Sequence, residues 1–421
     1  MKILLKQIEV VDSTSEFNHQ VVDILIVDGV IQDINKNISV NDAELIDQEG
    51  LSVSSGWCDM QVSSGDPGLE YKEDVDSLLA AAAKGGFTTV CMLPNTQPVI
   101  QSKEGVVYLK AKAHGALVNL KVIGALTKDC KGKDLTEMFD MIHQGAVAFS
   151  DGKEGTTHSG IVLKGLQYLY KNNKVLITRP FDKYLSHDGL MHEGIQSTLN
   201  GMKGLPSIAE YTIVKRDLDL LKYAGGRLHF SAISSKESVE LIKEAKENGL
   251  QVTCDVAVPN LLLTDAALAD FDTNAKVFPP LRSEADRLAL IEGLMDGTID
   301  CIVSDHSPQD VDAKKLEFDY ADFGMIGLES AFALLMSCEP KLSLDLIVEK
   351  LTRNPKNILG LSNTSITQGQ KADLTIFSKS EKWTFSKNDI VSKCDNTPFL
   401  GRDLNGRVKA VINNGQLQKF N

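Results

Sequence analysis

Trp57-Cys-Asp-Met-Gln-Val-Ser-Ser-Gly-Asp-Pro-Gly68 opens as an apolar strand and closes as a turn. Residues 57–62 have strand character, Asp66-Pro67-Gly68 carries turn chemistry, and 74–84 then takes up helical spacing. Along a strand the i and i+2 side chains point the same way, so Asp59, Gln61 and Ser63 share one face. The same change of period recurs along the chain. Strand-like runs stand at 88–93, 119–125, 145–150, 174–179, 227–233, 251–257 and 299–304. Helix-like stretches include 74–84, 103–113, 208–223, 235–248 and 283–295. Eight strands alternating with helices predict an α/β fold, a closed parallel (β/α)8 TIM barrel. A doubly wound open sheet is the alternative, although no G-x-G-x-x-G follows the first strand.

Both ends of the chain read as β. Residues 23–34 are two apolar runs around Asp28-Gly29, a hairpin signal, and 408–417 repeat it with Asn414-Gly415 at the turn. Neither terminal segment buries much alone, so the two are expected to pair into one small β-sandwich domain. The expected boundaries are 1–55 and 365–421 for that domain and 56–364 for the barrel. A helix over about 342–361, with Pro355 inside it, is expected to close the outer ring.

The chain has 421 residues and a formal net charge of −13. That charge argues against nucleic acid and anionic membranes, both of which need a basic surface. No run approaches the roughly 20 apolar residues of a spanning helix, and the start has no signal-peptide stretch. Seven cysteines lie scattered without a C-x-x-C pair, mostly in strand-like runs, which points to buried thiols in a reducing cytoplasm.

Several phrases then fall in a fixed order: Asp66-Pro-Gly68, Leu93-Pro-Asn-Thr96, Phe149-Ser-Asp-Gly152, Thr253-Cys-Asp-Val256, Pro279-Pro-Leu-Arg282, Ser304-Asp-His-Ser-Pro308 and Phe323-Gly-Met-Ile-Gly-Leu-Glu329. On these the chain resembles, over essentially its whole length, the dihydroorotases of the multifunctional-complex type within the amidohydrolase superfamily. The resemblance implies a zinc-bound hydroxide that opens dihydroorotate or closes carbamoyl-aspartate, because zinc lowers the pKa of bound water and polarises the carbonyl. It also implies ligands from two histidines on strand 1, an acid or modified lysine on strand 4, histidines on strands 5 and 6 and an aspartate on strand 8.

Carried over position by position, the ligand set becomes Gln61, Ser63, Asp151, Arg179, Ala232 and Asp305. A carboxamide and a hydroxyl are poor zinc ligands, and two carboxylates without imidazole suit magnesium or calcium better. Zinc is therefore expected of the family and no cofactor is expected of this chain. The substrate-holding arginine of strand 1 falls on Gly65, the asparagine before Pro279 on Phe278, and the Pro-His-His after strand 7 on Val258-Pro-Asn260. Asn95, Arg179, Phe278 and His306 are the expected remnants of the pocket. Asp305 would be a vestigial general base, since a carboxylate without activated water has nothing useful to deprotonate. Arg179 is expected to sit between Asp151 and Asp305 and replace the metal's charge. Against these stand plainer readings: Asn95 as a loop-forming residue, His229 as a satisfied core histidine, and His158, His187 and His192 with no chemistry.

The leading expectation is a catalytically inactive dihydroorotase-like protein of pyrimidine biosynthesis. By analogy with degenerate barrels of the family, it would be a structural partner of aspartate carbamoyltransferase and a homodimer. The alternative is an active or weakly active dihydroorotase. A third reading is a sensor that binds an anionic metabolite through Arg179, Asn95 and His306.

Overall fold

The structure, a computed structural model, describes residues 1–186 and 188–420; His187 lies outside the described residues. Eight parallel strands make the central sheet: Trp57–Val62 (β1), Phe87–Met92 (β2), Asn119–Ala125 (β3), Ala148–Ser150 (β4), Val175–Thr178 (β5), Leu228–Phe230 (β6), Val252–Ala257 (β7) and Cys301–Val303 (β8). They pair in chain order, and the two end strands come into contact without pairing. The seam has little ladder of its own. A parallel bridge joins Val62 to His306, the Ser63 N–H donates to the His306 carbonyl at 2.9 Å, and the Ser304 N–H donates to Asp59 Oδ2 at 2.9 Å. The result is the expected (β/α)8 barrel, nearly closed, and not an open sheet. Every residue of β1 and β2 is buried, as befits strands covered by helices outside and side chains within.

Helix ends follow local chemistry. The helix Val75–Lys84 starts at Asp74, whose carboxylate accepts from the Ser77 N–H while the Ser77 hydroxyl oxygen accepts from the Asp74 N–H. Its last turn carries Lys84, favourable against the carbonyl end of the dipole. Helices Lys103–Lys112, Ile208–Ala224, Lys236–Glu247 and Glu284–Met295 stand where their spacing predicts them. The segment 342–361 differs from expectation. It forms two helices, Leu344–Leu351 and Arg353–Leu359, broken at Thr352 (φ −113°, ψ −83°). The break places Pro355 in the first turn of the second helix, where its missing N–H leaves no bond unmade.

The termini build a strand-rich domain from one eight-stranded sheet. Leu51–Ser55 runs antiparallel to Leu374–Thr384, with Leu374 opposite Ser55, so the two ends of the chain share a ladder. Asp28-Gly29 and Asn414-Gly415 both turn with positive φ, at 50° and 77° and at 50° and 71°. That is the primed turn a two-residue hairpin needs. Ile3, Ile24, Val53, Ile376 and Ile412 pack into a core separate from the barrel's. All seven cysteines are buried and unpaired. Among the described residues no helix is long and apolar enough to cross a membrane.

Candidate functional site

In a barrel of this kind the loops beyond the carboxyl ends of the strands form the site. Gln61, the penultimate residue of β1, is 2% exposed. Its carboxamide nitrogen donates to Asp305 Oδ1 and its oxygen accepts from the Ser231 hydroxyl. Asp305 lies just beyond β8 in the left-handed region, with φ 51°. Arg179 directly follows β5, and its Nη2 reaches the same Asp305 oxygen at 3.0 Å, the two side chains being 4% and 12% exposed. The guanidinium carbon sits 5.7 Å from the centre of the Phe278 ring. One carboxylate and one aromatic face thus hold the cation.

Asp151 is satisfied separately. It accepts from the Thr127 N–H at 2.8 Å, the Thr127 hydroxyl at 2.8 Å and the Thr156 hydroxyl at 2.9 Å. Burial pushes its pKa up, opposed by those bonds. The expected meeting of Arg179 with both carboxylates takes in Asp305 alone, because the three donors use most of what Asp151 offers. Ser63 contributes its N–H to the seam. Ala232 is buried with φ 52°, and its N–H donates to Asp255 Oδ1 at 2.5 Å. Nearby, His229 bonds Thr253 Oγ1 through Nδ1 and Asp255 Oδ2 through Nε2, each at 2.8 Å. With Cys301 these groups bring three donor atoms within 4.8 Å inside the barrel. Both imidazole nitrogens are already engaged there, as in a satisfied core histidine.

The pocket positions spread out. Asn95 is spent on backbone: its Nδ2 donates to the Asp151 carbonyl at 3.1 Å and its Oδ1 accepts from the Lys153 N–H at 2.9 Å. Gly152 between them has φ 61°, and a Cβ there would stand 1.8 Å from Asn95 Oδ1, so only glycine fits. His306 is fully buried. Its Nδ1 accepts from the Gly327 N–H at 3.2 Å, and its Nε2 lies 3.6 Å from Glu73 Oε2. Phe278 packs edge to face on Phe181 at 4.5 Å and on Phe323 at 5.8 Å. Gly65 has no room for a side chain, since a Cβ there would come 1.8 Å from the Leu69 carbonyl oxygen. Asn260, in the short helix Val258–Leu262, donates to the Pro280 carbonyl at 3.1 Å.

Sequence reasoning missed one residue at the mouth. Lys153 extends inward from the loop after β4, and its ammonium donates to Ser307 Oγ at 2.6 Å. Burial lowers its pKa to about 8; the charge of Asp305 opposes that shift and Arg179 adds to it. Its only signal in the sequence is its place directly after Asp151-Gly152.

The comparisons agree with this architecture. A family profile described as Dihydro-orotase-like matches residues 52–238, and one described as Amidohydrolase family matches 195–417. A dihydroorotase of Caldanaerobacter subterraneus subsp. tengcongensis is 42% identical over 99% of this chain and 97% of its own length. One of Acetivibrio thermocellus is 40% identical over 99% and 98%. Among solved structures, the L-hydantoinase (dihydropyrimidinase) of Arthrobacter aurescens superimposes with a TM-score of 0.86 at 24% identity, covering 99% of this chain and 95% of that one. This last likeness speaks for the fold alone. The chain belongs to the dihydroorotase family of the amidohydrolases.

Proposed function

We propose that this dihydroorotase-family barrel does not run hydrolysis on a zinc-bound hydroxide. The observation that carries the reading is the Arg179–Asp305 pair, with Gln61 bonded to the same carboxylate oxygen. Zinc takes imidazole, thiolate or carboxylate donors. The six positions supply a carboxamide, a hydroxyl, a methyl group, a guanidinium and two carboxylates, one already paired and the other bonded to threonines. A dication at Asp305 would also meet the guanidinium at close range, a repulsion that low dielectric magnifies. The residues do not fit the metal. The role proposed in its place is structural: a homodimeric partner of aspartate carbamoyltransferase in the cytoplasm, by analogy within the family. Co-purification with the transferase, and loss of transferase activity when this chain is deleted, are the expected results. A transferase that assembles and works normally alone would remove the partner role.

The second reading is dihydroorotase activity, and the names of the relatives favour it over inactivity. Proteins called dihydroorotase match this chain at 38–42% identity over nearly its whole length. Under that reading a metal has to displace Arg179 from Asp305, and turnover of dihydroorotate is chelator-sensitive.

A further inference from the structure

Beside the mouth of the barrel lies a cavity of about 590 Å³ lined by Asp129, Lys131, Lys133, Lys153, Glu154, Phe181, Lys183 and Phe278, among others. That volume lies within the roughly 300–1,000 Å³ of small-molecule sites. Four lysines face two carboxylates there, in a chain whose net charge is −13. Lys131 is paired with Asp129 at 3.2 Å. Among the described residues, Lys133, Lys153 and Lys183 have no carboxylate within ion-pair distance; Lys153 spends one hydrogen bond on Ser307, and the Lys183 ammonium lies 5.3 Å from the centre of the Tyr184 ring. We infer that this cavity is a binding site for a small hydroxyl-bearing phosphate ester, its phosphate held by Lys133, Lys153 and Lys183 and its body laid against Phe181 and Phe278.

The chemistry discriminates among anions. A simple carboxylate is best matched by the planar fork of an arginine, and the guanidinium of Arg179 is committed to Asp305. Ammonium groups act as point charges that can surround a tetrahedral dianion from several sides, and an unpaired cluster of them is the electrostatic complement of a phosphate. Glu154, also without a cation partner among the described residues, supplies an acceptor for a ligand hydroxyl. Phe181 and Phe278, edge to face at 4.5 Å, offer an apolar wall for the uncharged part. Asn95, Arg179 and His306 are otherwise engaged, so the anion-binding role passes from them to the lysines of the loops after β3, β4 and β5.

The inference rests on the reading that no dication occupies the mouth, and the test keeps the two apart. The full chain, as purified and after chelator treatment, is titrated calorimetrically with orthophosphate, ribose 5-phosphate and uridine monophosphate. Thermal shift is read in parallel. Ribose 5-phosphate or uridine monophosphate is expected to bind and to raise the melting temperature, more tightly than orthophosphate. Binding is expected to weaken about tenfold or more in Lys153→Ala and, as a check on folding, in the surface variant Lys133→Glu. No binding by either ester, equal binding of orthophosphate, or binding unchanged in both variants would overturn the proposal. Stoichiometric metal with dihydroorotate turnover in the untreated sample would sink the preceding reading, while the titrations of the stripped sample would still decide this one.

Discussion

Asp305 and Arg179 form a contact that spans 126 positions of sequence and stands where the family places a metal ligand. Removing the guanidinium leaves a nearly buried carboxylate bonded to a carboxamide, with the Lys153 charge as its other nearby cation. Arg179→Ala is therefore expected to cost about 3 kcal/mol, the lower end of what breaking a buried pair costs, because Asp305 keeps some access to water. Urea denaturation measures it, and a variant with the wild-type midpoint would show the pair to be ornamental. Gly65 carries a second expectation. The Leu69 carbonyl occupies the space of its side chain, so Gly65→Arg should destabilise the turn after β1 rather than restore a substrate-binding arginine. A Gly65→Arg chain that folds with unchanged stability would mean that the turn can move aside.

At the level of elements, the helix Ile208–Ala224 buries Asp217 against Arg216. Burial pushes the Asp217 carboxyl up to about 6, while the Arg216 charge opposes the shift. The folded chain then keeps a proton that the unfolded chain has already released. This group's contribution falls as pH rises from about 4 to about 6, and the penalty is fully present above that window. The urea midpoint of the wild type should lose more across this range than that of Asp217→Asn; equal losses would contradict the assignment. The elements themselves were readable from the chain because their periods are clean and their caps local. The eight strands and the helix at 75–84 follow from strand-like runs alternating with helical spacing. The split at Thr352 was not readable, since helical spacing continues across it and only Pro355 hints at a boundary. The site was legible in part. The residue types at Gln61, Ser63, Arg179, Ala232 and Asp305 are plain in the sequence, and the charge of Arg179 suggested its partner. Asp151 turns to Thr127 and Thr156, and Lys153 reaches across to Ser307, through loop geometry that no local pattern encodes.

For the whole molecule, the C-terminal segment ties the terminal sheet to the barrel. Lys356, in the last barrel helix, donates to Asp373 at 2.9 Å, and Thr375 donates to the Gly86 carbonyl at 2.7 Å. Neither bond involves a residue of the mouth, which suits a protein proposed to serve by its shape and its surface. The claim on which that proposal turns is that a guanidinium stands where a hydrolytic cation would. It is tested most directly by elemental analysis of the full chain purified without chelator, paired with a dihydroorotate assay on the same sample. The account predicts zinc far below one per chain and turnover no faster than buffer. About one zinc per chain, with turnover abolished by chelation and restored by the metal, would contradict it.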